Sequence, residues 1–194
     1  MSRAIFEDQD LKKKHVYIIH GYNATPSAHW FPWLKQKLIG DGILASVLPM
    51  PNPTHPRCEI WLKYLKEHVH TPNQNTFFVA HSLGCITLLQ YLSTQYKKIG
   101  GMILVSGFST PLTALPELDE FTKGGFDPKR IVQLVPHRSV VASKDDLIVP
   151  YKQTEDLGRL LQARFFEIEK GGHFLASDGF VQLPIVYEEL QKML

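Results

Sequence analysis

The chain has 194 residues, 44% of them hydrophobic and 21% charged, with a formal net charge of +2. That length suits one domain with a sizeable core, and so small a charge gives no footing for nucleic acid or acidic membranes as partners. No run approaches ~20 uninterrupted apolar residues, and residues 1–10 lack the apolar stretch of a secretory signal, so a cytoplasmic protein is expected.

Residues 1–14 read as an N-terminal extension, with Lys12, Lys13 and Lys14 balanced by nearby Glu7, Asp8 and Asp10. Residues 15–194 read as the domain. Its first strand is predicted over 15–20, followed by a Gly21-Tyr22-Asn23 loop and a helix over 30–38 closed by Gly40-Asp41-Gly42. A second strand over 43–48 runs into a proline-rich loop, 49–56. A second helix over 59–69 carries Ile60, Trp61, Tyr64 and Leu65 at one-face spacing. The apolar run Thr76-Phe77-Phe78-Val79 is the third strand, and a helix follows to about Tyr96.

The fourth strand covers 101–106. A long connection rich in Pro, Gly and Asp comes next, with short helices expected in it. A fifth strand over 140–143, a helix over 151–162, a sixth strand over 164–168 and a helix over 183–193 complete the chain. Strands alternating with helices at this spacing predict a mostly parallel sheet covered on both faces. In such sheets ligands gather at the carboxyl edge of the strands.

Three polar features end three of these strands. Ser82 follows the third, the pair Asp145-Asp146 follows the fifth, and His173 within Gly171-Gly172-His173-Phe174 follows the sixth. A serine at a strand-to-helix joint is either a helix N-cap or a nucleophile on a sharp turn. The chain order Ser, Asp, His favours the nucleophile. A serine hydroxyl needs an imidazole to take its proton, and the imidazole needs an acid to hold its tautomer. The elbow pattern Gly-x-Ser-x-Gly has Gly84 in its last position and the small Ala80 in its first.

His20-Gly21-Tyr22, His29-Trp30-Phe31-Pro32-Trp33-Leu34, Met50-Pro51-Asn52-Pro53, Ala80-His81-Ser82-Leu83-Gly84, the segment 142–150 and Gly171-Gly172-His173-Phe174 carry a further signal. Together they resemble the small serine hydrolases of the retinoblastoma-binding protein 9-like and YdeN-like family, from about His15 onward. The resemblance implies a three-layer α/β-hydrolase fold with about six parallel strands in the order 2-1-3-4-5-6. It implies Ser82 as nucleophile, His173 as base and, through Asp-x-x-Val-Pro ending at Val149-Pro150, Asp146 as acid. The residues alone do not separate Asp145 from Asp146; the other aspartate bonds loop amides or caps the helix starting near Tyr151.

The backbone N–H of Leu83 and one from the Gly21-Tyr22 turn, assigned to Tyr22, are the expected oxyanion donors. His20, Gly21, Trp30 and Trp33 are candidates for the substrate pocket. Against that, His20 could instead orient the oxyanion loop, and the tryptophans could anchor the first helix on the sheet. His81, adjacent to the serine, reads as a buried hydrogen-bonding group rather than the base, because neighbouring side chains in an extended run diverge. His68 and His70 point apart on a helix and have no third ligand in view.

Cys58 and Cys85 do not form a disulfide framework, and Cys85 reads as a small packing residue. No phosphate-binding glycine motif occurs. No metal or organic cofactor is expected. Leu112, Leu115, Leu118 and Phe121 have helical spacing within 108–127, the one candidate lid, and a shallow site for small or exposed acyl groups follows.

The expected function is a serine hydrolase cleaving a carboxylic ester or amide through an acyl-enzyme. The alternative is a hydrolase-fold module that binds a protein partner. A flavodoxin-like domain shares the alternating pattern but leaves the serine elbow unexplained.

Overall fold

A computed structural model describes residues 13–194; residues 1–12 of the expected N-terminal extension lie outside the described residues. Six strands, β1 (His15–Ile19), β2 (Leu44–Leu48), β3 (Thr76–His81), β4 (Gly101–Val105), β5 (His137–Ser143) and β6 (Arg164–Ile168), form one sheet. The order is β2-β1-β3-β4-β5-β6, and every neighbouring pair is parallel. This is the order the resemblance implies. All six carboxyl ends therefore open on one edge.

The helices are α1 (Phe31–Gly40), α2 (Cys58–His68), α3 (Leu83–Ser93), α4 (Asp119–Lys123), α5 (Pro128–Leu134), α6 (Tyr151–Leu160) and α7 (Pro184–Met193). The two-residue period of the strands sorts side chains onto two faces. Val16, Ile18, Phe77 and Val79 pack beneath α1 and α7 with Trp30, Phe31, Leu34, Val186 and Leu190. Tyr17, Ile19, Phe78 and Ala80 face α2, α3, α5 and α6 with Trp61, Leu65, Ile131 and Leu157. The central β3 and β4 are buried throughout, which is why they read as unbroken apolar runs.

Boundaries differ from expectation where polarity masks a strand. β5 begins at His137, three residues before the apolar run, because His137 and Arg138 sit at its exposed amino end. β3 continues through Ala80 and His81 up to the serine. The connection after β4 holds a 3₁₀ turn, Pro116–Leu118, and then α4 and α5; α5 is capped by the Asp127 carboxylate accepting from the Arg130 N–H at 3.0 Å. Among the described residues no helix is long and apolar enough to cross a membrane.

Candidate active site

The turn between β3 and α3 carries the first feature of the site. Ser82 stands at φ 54°, ψ −123°, a left-handed conformation that costs a non-glycine residue of order 1–3 kcal/mol. Its hydroxyl makes no capping bond to α3, so the N-cap alternative fails. The strain is maintained by close approach on both sides. A Cβ on Gly84 would stand 2.7 Å from the carbonyl oxygens of Ile19 and His20, and one on Gly21 would stand 2.8 Å from the Ser82 Cβ. Only hydrogen fits at either place, whereas Ala80 sits within the apolar layer between sheet and helix, where a methyl group packs.

The loop after β5 separates the two aspartates. Asp146 is buried; its Oδ2 accepts from His173 Nδ1 at 2.8 Å and from the Ser106 hydroxyl at 2.8 Å. Its Oδ1 accepts from the backbone N–H groups of Ile148 and Val149, both at 2.9 Å. All four bonds hold the carboxylate in one orientation against the imidazole. Asp145 turns the other way, and its Oδ1 accepts from the Ser143 hydroxyl and from the N–H groups of Gly171 and Gly172. Those donors, the Ser143 hydroxyl foremost, pull its pKa down to about 2. Asp145 thus braces the loop that carries the histidine.

That loop is tied down at further points. Asp178 Oδ2 accepts from the N–H groups of His173 and Leu175. Gly172, at φ 52°, lets the chain pass so close to Asp178 that a Cβ would lie 2.7 Å from its carboxyl carbon. Beneath it, His81 Nε2 donates to the His173 carbonyl at 2.8 Å. Burial, with His173 close by, drives the His81 pKa far down and keeps the ring neutral. His81 is a buried hydrogen-bonding group, as its position suggested.

Ser82 and His173 share the wall of a cavity of about 340 Å³ at the carboxyl edge. Its polar side includes Tyr22, Asn23 and His29, and its apolar side Leu115, Leu147 and Ile148. The backbone N–H groups of Tyr22 and Leu83 donate to no group among the described residues. The Leu83 N–H also opens α3, where the helix dipole favours negative charge. His20 holds the Tyr22 turn from behind: its Nδ1 donates to the Gly21 carbonyl at 2.9 Å, and its Nε2 accepts from the Met50 N–H at 3.1 Å. Burial lowers its pKa, which suits this neutral tautomer.

Four pocket expectations are corrected. Trp30 is fully buried against Phe31 and His81, and Trp33 packs edge-on against Tyr187. Both anchor α1 on the sheet face opposite α3, so neither lines the cavity. His20 is sealed behind the turn it orients, and Gly21 lies under Ser82 rather than on the wall. The 108–127 segment is also different in form. Leu112, Leu118 and Phe121 are core residues, Phe121 meeting the Trp61 ring at 5.6 Å, while Leu115 reaches the cavity. The segment packs as a flank of the cavity, tied further by Cys58 N–H donating to Glu120 and by the Tyr22 hydroxyl donating to Glu117.

Ser106 and His29 escaped the sequence reading of roles. Ser106 directly follows β4, so the rule that picked out the other strand-end polar groups applies to it as well. His29 carries no comparable signal, since it lies in a loop. Cys85 is a packing residue with its thiol on the Ala80 carbonyl, and burial raises its pKa. Among the described residues no group of three or more His, Cys, Asp or Glu side chains is gathered to hold a metal ion.

A six-stranded parallel sheet in this order, with a strained serine at the β3–α3 turn, is the α/β-hydrolase fold. The family model for serine hydrolases matches residues 16–192, and the chain belongs to that family. It is 51% identical over 179 residues to YdeN of Bacillus subtilis (strain 168), spanning 91% of this chain and 94% of that protein. The crystal structure of the ydeN gene product superimposes with a TM-score of 0.91 at 50% identity, over 93% of this chain and 98% of that one. Serine hydrolase RBBP9 of Rattus norvegicus is 27% identical over 150 residues, 75% of this chain and 77% of its own length.

Proposed function

We propose that the protein hydrolyses carboxylic esters or amides of small acyl groups through an acyl-enzyme on Ser82. The Asp146–His173 bond carries this reading. With Asp146 accepting at Nδ1, the imidazole proton resides there, and the Nε2 lone pair is left to take the Ser82 proton. Ser82 Oγ then bonds to the substrate carbonyl carbon, and the oxygen gains negative charge beside the Tyr22 and Leu83 N–H groups. His173 next passes its proton to the leaving group as the C–O or C–N bond breaks. In the second half-reaction it takes a proton from water, which attacks the acyl-enzyme, and returns that proton to Ser82 Oγ.

The cavity, about 340 Å³, is at the small end of ligand sites, which run from ~300 to ~1,000 Å³. Leu147 on its rim is 92% exposed, so the acyl site is short and open rather than a buried lipid tunnel. A cytoplasmic location fits the two free cysteines.

The test is labelling with a fluorophosphonate probe and turnover of a short p-nitrophenyl ester, in the native protein and in Ser82→Ala and His173→Ala. Labelling and turnover in the native protein, both lost in Ser82→Ala, are expected. Neither in the native protein would refute the reading in favour of a binding module.

A further inference from the structure

His29, like Asn23, is a polar cavity-wall side chain that the mechanism above leaves without a task, and it offers an unspent donor. Its Nδ1 accepts from the Ala176 N–H at 3.0 Å, which places the ring proton on Nε2. Nε2 has no hydrogen-bond partner among the described residues, yet it is not among the buried polar atoms left unpaired, so it is solvent-accessible on a ring that lines the cavity. Burial, and then the neighbouring His173, lower the pKa of this ring. The backbone there is held at φ 52°, in the left-handed region that few non-glycine residues occupy.

The direction of the chemistry says which part of a substrate His29 meets. His173 must reach the departing heteroatom to protonate it, so the leaving group lies beside His173, with the oxyanion on the Tyr22 and Leu83 side. The Ala176 bond ties His29 to the loop that bears His173, three residues past it. His29 therefore stands on the leaving-group side of the cavity it lines.

We propose that His29 binds the leaving group, its Nε2–H donating to an acceptor oxygen near the scissile bond, so that the substrates are esters or amides whose departing alcohol or amine carries a carbonyl or carboxylate. This rests on the hydrolase reading above.

The test compares kcat/KM for two butyrate esters that share the acyl group, ethyl butyrate and the butyryl ester of methyl glycolate, in a pH-stat. His29→Asn keeps an acceptor near the Nδ1 position and tolerates a left-handed backbone, but lacks the distal donor. It is expected to lose about tenfold on the glycolate ester, the worth of one neutral hydrogen bond, and less than about twofold on the ethyl ester. His29→Gln, whose amide nitrogen reaches the Nε2 position, is expected to retain the preference for the glycolate ester. Equal losses on both esters in both variants would mean that His29 only anchors the loop, and unchanged rates on both would mean that it touches no substrate; either overturns the proposal. Absence of fluorophosphonate labelling at Ser82 in the native protein would instead overturn the hydrolase reading and this one with it.

Discussion

Gly84→Ala tests whether the closeness of α3 to the end of β1 is what sets the proposed oxyanion donors, the Leu83 and Tyr22 N–H groups. The new methyl carbon would stand 2.7 Å from two backbone carbonyl oxygens, Ile19 and His20, and 3.0 Å from the Ile19 side chain. Ordinary contact begins at 3.4 Å, so α3 and β1 must part by about 0.7 Å. Neither wall is a flexible side-chain tip that could turn aside. The Leu83 N–H is carried on the helix side of this gap, and the Tyr22 N–H follows the strand side. Opening the gap pulls the two donors apart, although they must both lie about 2.7–3.1 Å from one oxygen.

Misplacement by about 1 Å costs on the order of 100-fold in rate, and outright loss of one donor roughly 100- to 1000-fold. The variant is therefore expected to lose on the order of 100-fold in kcat/KM on a short p-nitrophenyl ester, with an overpacking cost of about 1–3 kcal/mol in urea unfolding. The fluorophosphonate labelling rate should fall alongside. A folded Gly84→Ala protein turning over within about threefold of the native rate would refute the reasoning.

The remaining predictions concern the aspartates and the histidines. Asp146→Asn would keep an oxygen for the Ile148 and Val149 N–H groups but turn its amide N–H toward His173 Nδ1, forcing the proton to Nε2; a fall of roughly 10,000-fold in kcat is expected. Asp145→Asn keeps the acceptor for Gly171 and Gly172 and should stay within about tenfold of native kcat; the reverse ranking of the two variants in steady-state assays would reject the assignment. His20, His29 and His81 all have pKa values lowered by burial, so below the unfolded value of about 6.5 the unfolded chain binds protons that the native fold refuses. Stability should be full above that pH and fall as pH drops from about 6.5 toward 5, by at most ~1.4 kcal/mol per pH unit for each histidine. Urea midpoints at pH 7.5 and 5.5 measure this, and equal midpoints would contradict it.

Local pattern was enough for the elements and for the edge at which chemistry collects. Apolar runs of strand length and one-face helical spacing encode which segments pair and which pack, because burial against a sheet imposes those periods directly. Ser82, the Asp145-Asp146 pair and His173 were legible because polar groups following the carboxyl ends of strands have no packing role to explain them. The resemblance supplied the strand order, which periodicity does not contain.

Loop conformation and long-range contact decided the rest. Asp145 and Asp146 are chemically identical neighbours, and only the backbone of the turn after β5 sends one to His173 and the other to the Gly171 and Gly172 amides. Trp30 and Trp33 have the composition of an aromatic wall, but the packing of α1 and the residue before it aims them at the sheet and at Tyr187. Leu112, Leu118 and Phe121 show helical spacing without forming one helix, since α2 and α3 offer them a core to enter. His29 became visible as a cavity donor only when the loop after β6 folded over it and took up its Nδ1. That bond joins residues 147 positions apart in the chain, which no local pattern records.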